Sequence, residues 1–303
     1  MGEGLTVAAR PKITKVEVVV NIASGGVDAG APDEIAALLS EWGVQANVCA
    51  PEGADLTRCL RDAIDAAPDA VLVLAGDGTA RAAAELAGPD GPLIAPLPGG
   101  TMNMLPHAVY GVTPWQDALK TILEDGREQV IGGGEIEGRT FLVAAILGSP
   151  ALWAPAREAV RDGRLRLAFA HAQRAWSRAF SGRLRYALDG GPRGKAEALT
   201  FLCPLASKAM SSDEQALEAA AIDPRNFVDV ARMGFASLVD DWRNDPAVEV
   251  RSCRSAGVWA AGRIPAVLDG EPARLAATAR VTWRPKVARI LAPPPEAVQE
   301  TRP

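Results

Sequence analysis

The chain has 303 residues, 48% of them hydrophobic and 23% charged, with 32 Lys+Arg against 37 Asp+Glu and a formal net charge of −5. That balance excludes a disordered tail, a collagen-like chain and a disulfide-dense miniature, and it argues against a global electrostatic grip on nucleic acid. Four cysteines without a Cys-x-x-Cys pair and only two histidines (His107, His171) argue against a zinc centre, and the start shows no signal-peptide pattern, so reduced thiols and a cytoplasmic location are expected.

The first 125 residues alternate strand and helix signals. The β-branched run Val16 to Val20 ends at Asn21 and the turn Ser24-Gly25-Gly26. Pro32 then stands where a first helical turn belongs, Ile35, Leu38, Leu39 and Trp42 recur at helical spacing, and Gly43 stops them. Val44 to Cys49 reads as a second strand. Asp55 is a candidate N-cap for a helix with the apolar stripe Leu56, Cys59, Leu60 and Ile64, closed by Pro68. Ala70 to Leu74 is wholly apolar, as a strand buried on both faces must be, and it empties into Ala75-Gly76-Asp77-Gly78-Thr79 and another helix. Leu93 to Leu97 repeats the pattern and feeds Pro98-Gly99-Gly100-Thr101-Met102-Asn103; a helix from Trp115 to Leu123 closes the unit. This rhythm predicts a parallel sheet covered by helices on both faces. The uncharged stretch 91–116 contains five prolines, and 140–156 is broken by Gly148, Pro150 and Pro155, so neither reads as a membrane span.

After Gly126 the texture changes. Gly132-Gly133-Gly134 and Gly190-Gly191 read as turns between short extended runs at Phe141 to Leu147, Arg183 to Leu188, Ala198 to Leu202 and Val248 to Ser252. They predict an antiparallel sheet domain interrupted by helices at Leu165 to Phe180 and Val228 to Trp242. The Pro-rich end, Pro293 to Pro295, reads as a frayed tail. The expected division is an α/β domain over 1–128 and a β-rich domain over 129–303.

In an open parallel sheet, ligands bind beyond the carboxyl ends of the strands. Three glycine-bearing loops leave strands at that edge: Asn21 to Gly26, Ala75 to Thr79, and Pro98 to Asn103. Glycine lets backbone approach an anion, and a helix start behind a loop aims N–H groups at it, so the three together predict a phosphate site. Asp77, between two glycines at a strand end, suits Mg²⁺ against a phosphate or the acceptance of a hydroxyl proton; the competing reading makes it the N-cap of the helix that follows.

The Ala75–Thr79 and Pro98–Asn103 motifs, about twenty residues apart, resemble those of the diacylglycerol kinase catalytic domain family, which includes bacterial soluble lipid kinases and the sphingosine and ceramide kinases. Asn21-Ile22-Ala23-Ser24-Gly25 is similar to that family's nucleotide loop, and Ala266-Val267-Leu268-Asp269-Gly270-Glu271-Pro272 to its Asp-Gly-Glu element. The resemblance spans nearly the whole chain in the right order. It implies an α/β fold, with a Rossmann-like parallel sheet domain followed by a β-rich antiparallel sandwich-type domain, and ATP and Mg²⁺ as cofactors. Asn21, Ser24, Gly25, Gly76, Gly78, Thr79, Gly100, Thr101 and Asn103 would line the nucleotide site. Asp77 would act on Mg²⁺ or as base, and Asp269 and Glu271 would complete the catalytic set from the second domain. Where the family carries acids, this chain has Ala82 and Met104, and no Lys or Arg stands near Gly26, leaving Arg81 as a more distant cation.

The function this implies is phosphorylation of the primary hydroxyl of a neutral membrane lipid, diacylglycerol or ceramide-like. An NAD kinase-like enzyme and a catalytically silent lipid- or nucleotide-binding module are the alternatives. The segment 157–185 carries eight arginines against Glu158 and Asp162, beside an apolar stripe at Leu165, Phe169, Ala172, Trp176 and Phe180. It reads either as a contact with an anionic membrane surface, giving peripheral attachment to the inner face, or as a helix packed on the second-domain sheet.

Overall fold

The computed structural model describes residues 10–51, 55–148, 183–207, 210, 214–223, 243 and 245–294. The helices expected at 165–180 and 228–242, and most of the arginine-rich segment, lie outside the described residues. The chain forms two compact units: one runs through Gly132 and resumes at Lys286, and the other is Gly133–Pro285.

The first unit contains β1 (Lys15–Val20), α1 (Ala31–Glu41), β2 (Gln45–Cys49), α2 (Leu56–Asp65), β3 (Ala70–Ala75), α3 (Asp77–Ala87), β4 (Leu93–Pro98), α4 (Met104–Tyr110) and α5 (Trp115–Asp125). Its sheet has the order β2-β1-β3-β4, and every pairing is parallel. Val16 to Val20 lies opposite Ala70 to Leu74, and Ala70 to Ala75 opposite Leu93 to Pro98. Every residue of β3 and β4 is buried, which explains their wholly apolar sequences. Helices cover this sheet through Ile35 and Leu39 of α1, Ala80, Ala83 and Ala84 of α3, and Leu119 and Ile122 of α5. Asp55 occupies the N-cap position of α2 but makes no side-chain capping bond.

The chain beyond residue 294, expected as a frayed tail, lies outside the described residues. The last strand of the chain, β16 (Thr278–Ala292), reaches this unit, where Ile290 pairs in parallel with Ile94 of β4. The buried Tyr110 hydroxyl donates to the Leu291 carbonyl at 3.1 Å, and Arg289 donates to the Gly91 carbonyl at 2.6 Å and to Glu128 at 3.1 Å. The expected break at residue 128 therefore omits a returning strand. Cys49 and Cys59 are joined as a disulfide between the end of β2 and α2, with Cα atoms 6.5 Å apart. That corrects the expectation of four reduced thiols; Cys203 and Cys253 are free and buried.

The second unit contains the end of β5 (Arg127–Ile136), then β6 (Arg139–Phe141), β7 (Ala144–Gly148), β8 (Leu184–Leu188), β9 (Gly194–Ala196), β10 (Ala198–Leu202), β11 (Leu217–Ile222), β12 (Val248–Cys253), β13 (Ser255–Trp259), β14 (Ile264–Leu268), β15 (Glu271–Leu275) and the first stretch of β16. One antiparallel sheet runs β12-β11-β10-β7-β14-β15. A second group, β16-β13-β8-β9, is also antiparallel. One apolar cluster joins the two layers, with Phe201, Leu217 and Leu268 from the first and Leu184, Val258 and Val281 from the second. The layered architecture agrees with the expected sandwich type.

The glycine triplet 132–134 is not a turn. It lies inside β5, and Gly134 is the strand partner of Phe141, whose ring lies over it. A Cβ at Gly134 would stand 1.9 Å from Phe141 Cζ, so glycine is what admits the buried ring. Among the described residues, no helix is long and apolar enough to cross a membrane.

Candidate active site

Strands β1, β3 and β4 are neighbours and run in one direction, so the loops that follow them leave the same sheet edge. Each loop is held by its neighbour. The Asn21 amide donates to the Leu74 carbonyl at 3.0 Å, the Gly26 amide to Gly99 O at 3.2 Å, and the Gly99 amide to Ala75 O at 3.2 Å. Ser24 Oγ accepts the Gly76 amide at 3.2 Å.

The glycines fit this packing sterically. A Cβ at Gly100 would lie 2.7 Å from Gly76 Cα, one at Gly99 2.7 Å from Ala75 N, and one at Gly26 2.9 Å from Gly100 O. At Gly25 the nearest atom is Thr101 Oγ1, at 3.1 Å. Backbone thus meets backbone where side chains would otherwise intervene. Expected residues of all three loops, namely Asn21, Ser24, Gly25, Gly76, Gly100, Thr101 and Asn103, come together here.

Several motif side chains build the loops themselves. Asn21 Oδ1 accepts the Ala23 amide at 3.1 Å. Asn103 adopts left-handed backbone (φ 49°, ψ 40°), accepts the Gly100 amide at 2.7 Å and donates back to the Gly100 carbonyl at 3.0 Å. That closed ring shapes the Gly99-Gly100 turn, and Asn tolerates the conformation better than most residues.

Asp77 is the first residue of α3, after Gly76 at the N-cap, and Gly78 and Thr79 complete the first turn. The expected alternative, that Asp77 caps its own helix, fails because α3 has no side-chain cap. Its Oδ1 instead accepts the amide of Leu105, in the first turn of α4, at 2.9 Å. This bond ties the second loop to the third and holds the carboxylate at a helix start, where the backbone dipole favours negative charge. Oδ2 makes no hydrogen bond among the described residues. Arg81 follows one turn along α3 and is half-buried.

Asp269 and Glu271 lie in the second unit, on the hairpin between β14 and β15. Asp269 (φ 45°) and Gly270 (φ 85°) are its two turn residues, the left-handed pair of a type I′ hairpin. Asp269 is buried, with 3% exposure. Its Oδ2 accepts the Leu142 amide at 2.7 Å, and Oδ1 accepts those of Val143 and Ala144 at 2.9 Å each. Three of the carboxylate's roughly four acceptor positions are thus taken by backbone amides. Asp269, expected in the catalytic set, has an architectural task in the fold: it holds the corner between β6 and β7. Glu271 begins β15 and is exposed.

Sequence reasoning missed α4 and its bond to Asp77, and it did not single out Gly26 and Gly99 for close approach. Adjacent glycines in both loops were the available signal for the second; the Leu105 contact spans 28 residues and leaves no local trace.

These loops and strands fall within a recognised family model. Residues 15–133 match the diacylglycerol kinase catalytic domain, so the resemblance read from the motifs holds over that segment. A solved diacylglycerol kinase from Bacillus anthracis str. Sterne is similar with a TM-score of 0.69 at 15% identity, covering 94% of this chain and 99% of its own. Two further solved structures from that strain, both provisionally named diacylglycerol kinases, have TM-scores of 0.71 and 0.70 at 16% identity; they cover 94% and 93% of this chain and 99% and 98% of their own. At these identities the likeness establishes the fold. No curated protein matches the chain.

Proposed function

We propose that the protein is an ATP- and Mg²⁺-dependent lipid kinase that phosphorylates the primary hydroxyl of a neutral membrane lipid, diacylglycerol or a ceramide-like molecule. The observation that carries this reading is the closure of three glycine loops on one sheet edge, with Asp77 tied between them. The edge suits a polyphosphate: glycine at 26, 99 and 100 lets the three loops close on one another, and the Asp77 and Gly78 amides at the start of α3 have no intrahelical acceptor.

The donor set also suits Mg²⁺. Among the described residues no group of three or more His, Cys, Asp or Glu side chains forms a preformed cage. Mg²⁺ in phosphoryl-transfer sites needs only one or two carboxylates beside the phosphates, and Asp77 Oδ2 is the candidate. Bound there, the ion would neutralise phosphate charge; the chain's own contribution is to position and orient.

The reaction joins the lipid hydroxyl oxygen to the terminal phosphorus, breaks the bond to the bridging oxygen of ADP, and passes the hydroxyl proton to a carboxylate. With Asp269 committed to backbone, Asp77 and Glu271 remain as candidates for that proton.

The test offers purified protein Mg²⁺, labelled ATP, and diacylglycerol, ceramide, sphingosine or NAD in turn. Label is expected in a neutral lipid. Asp77→Asn keeps an oxygen for the Leu105 amide, so it should melt like the parent while losing roughly 10²–10⁴-fold in rate. Glu271→Gln shows whether the second carboxylate takes part. Label in NAD alone, or in no acceptor while ATP still binds, defeats the proposal.

A further inference from the structure

The outward face of the β9-β8-β13-β16 layer carries a charge pattern at odds with the chain's net acidity. Register sets Lys195 opposite Arg185, Arg185 opposite Trp259, and Gly257 opposite Arg280. Directly paired residues share a face, so these side chains, with Arg193 two residues before Lys195, project from one side of the layer.

Arg185, Arg193, Lys195 and Arg280 are all exposed, and none has an acidic partner among the described residues. Lys195 opposite Arg185 is a like-charge pair, which destabilises a free sheet. Two acids at the rim are engaged elsewhere: Asp189 has Oδ1 on the Ser255 amide at 2.7 Å and both oxygens on the Arg254 amide at 3.0 and 3.2 Å, and Asp223 pairs with Arg183. Trp259 lies amid the cations. Arg193 sits 5.7 Å from its ring centroid, and a Cβ at Gly257 would stand 2.8 Å from the indole edge. Beside it runs a shallow groove of about 450 Å³, lined by Ala187, Gly257, Trp259, Thr278 and Arg280.

We infer that this face docks on an anionic lipid bilayer. Strand spacing places the four cations within about 15–20 Å, a patch that meets several headgroup phosphates at once. A partly exposed indole beside an apolar groove matches the headgroup boundary, where tryptophan is enriched. A single-stranded nucleic acid is served less well. Its bases need stacking platforms, and the one indole here is already occupied by Arg193 and the Gly257 backbone. The choice of a bilayer over other polyanions rests on the lipid-kinase reading; the charge pattern does not.

The experiment sediments the full chain, without ATP, on vesicles of phosphatidylcholine alone or of phosphatidylcholine and phosphatidylglycerol in equal parts. Binding is expected only to the anionic vesicles and should fall as salt rises. A basic residue near such a surface contributes about a fivefold preference, so Arg185→Gln with Arg280→Gln should weaken partition roughly 25-fold, while Arg185→Lys with Arg280→Lys keeps it. Equal binding to both vesicle types, partition unaltered by the Gln pair, or tighter retention by single-stranded RNA than by vesicles overturns the inference. Phosphotransfer to detergent-dispersed lipid is measured on the same proteins. Its absence in the parent would end the kinase reading and leave the vesicle result standing; its persistence in the Gln pair is the expected result.

Discussion

Alanine at Gly100 and alanine at Gly76 should have different consequences, although both glycines belong to loop motifs. At Gly100 the added Cβ would stand 2.7 Å from Gly76 Cα and 3.2 Å from Asn103 Oδ1. The first obstacle is the backbone of the neighbouring loop and cannot rotate aside, so the loops must part. Overpacking of this kind costs about 1–3 kcal/mol. At Gly76 the same Cβ meets Gly100 Cα at 3.8 Å and Ser24 Oγ at 3.9 Å, which is ordinary contact. Its backbone (φ −78°, ψ 169°) is open to any residue. Alanine is a poorer N-cap than glycine, but it removes about 0.4–1 kcal/mol of unfolded-state entropy, and the two effects nearly cancel. About 2 kcal/mol should then separate the variants. At about 2–4 °C per kcal/mol for a unit of this size, Gly100→Ala should melt roughly 4–8 °C below Gly76→Ala, with Gly76→Ala near the parent. Thermal melts by far-ultraviolet circular dichroism read this directly. Equal melting, or the reverse order, would refute the argument that the loops close on one another through these glycines.

Asp269→Ala should strand three buried amides; at about 1–3 kcal/mol for each unsatisfied donor, the second unit should lose its cooperative melt, and a variant that melts like the parent would show those bonds to be inessential. Asp269→Asn, which retains one acceptor oxygen, should fall between the two. Asp69 accepts the amides of Lys15 and Thr14, and these bonds hold its carboxyl below the usual carboxylate value. A depressed folded value stabilises above the unfolded pKa of about 4 and is lost as pH falls through the folded one. The stability gap between the parent and Asp69→Asn in urea titrations should therefore be present at neutral pH and close in acid; a gap that widens in acid would contradict the sign.

What the sequence disclosed about the fold follows from how local each signal is. The strands β3 and β4 were legible because a strand buried on both faces must be apolar throughout, and α1 because Pro32 and Gly43 bracket it. The Gly132–Gly134 triplet misled because glycine has two uses. As a turn residue it needs no partner, whereas inside β5 its purpose is the ring of Phe141, seven residues beyond Gly134 on another strand. The return of β16 to the first unit, sealed by the Tyr110 bond to Leu291 across 181 residues, was invisible for the same reason. At the site, chemistry was easier to read than role. Asp77 and Asp269 both stood beside glycine in recognisable motifs. Only long-range bonds separate them: Asp269 gives both oxygens to amides 125–127 residues away, whereas Asp77 gives one to Leu105.

That division of labour bears on how the loops can grip a ligand. Asn21, Ser24 and Asn103 direct side-chain oxygens at their own or adjacent loop backbone, so the polar side chains of the motifs shape the cradle more than they line it. Under the proposed function, recognition would fall to the peptide N–H groups that the loops do not spend on one another, as those of Gly26, Gly76, Gly99 and Gly100 are spent. The positions of those groups are fixed by the strands behind them and cost little to organise on binding. A cradle of amides suits an anion with several equivalent oxygens and tells one phosphate chain from another poorly, because every nucleoside triphosphate presents the same group. In the proposed kinase, selection of the base, and of the acceptor, would come from residues outside the three loops. The loops themselves would place only the reacting phosphate, and within that proposed task Asp77 is the loop side chain whose charge is still partly available for chemistry.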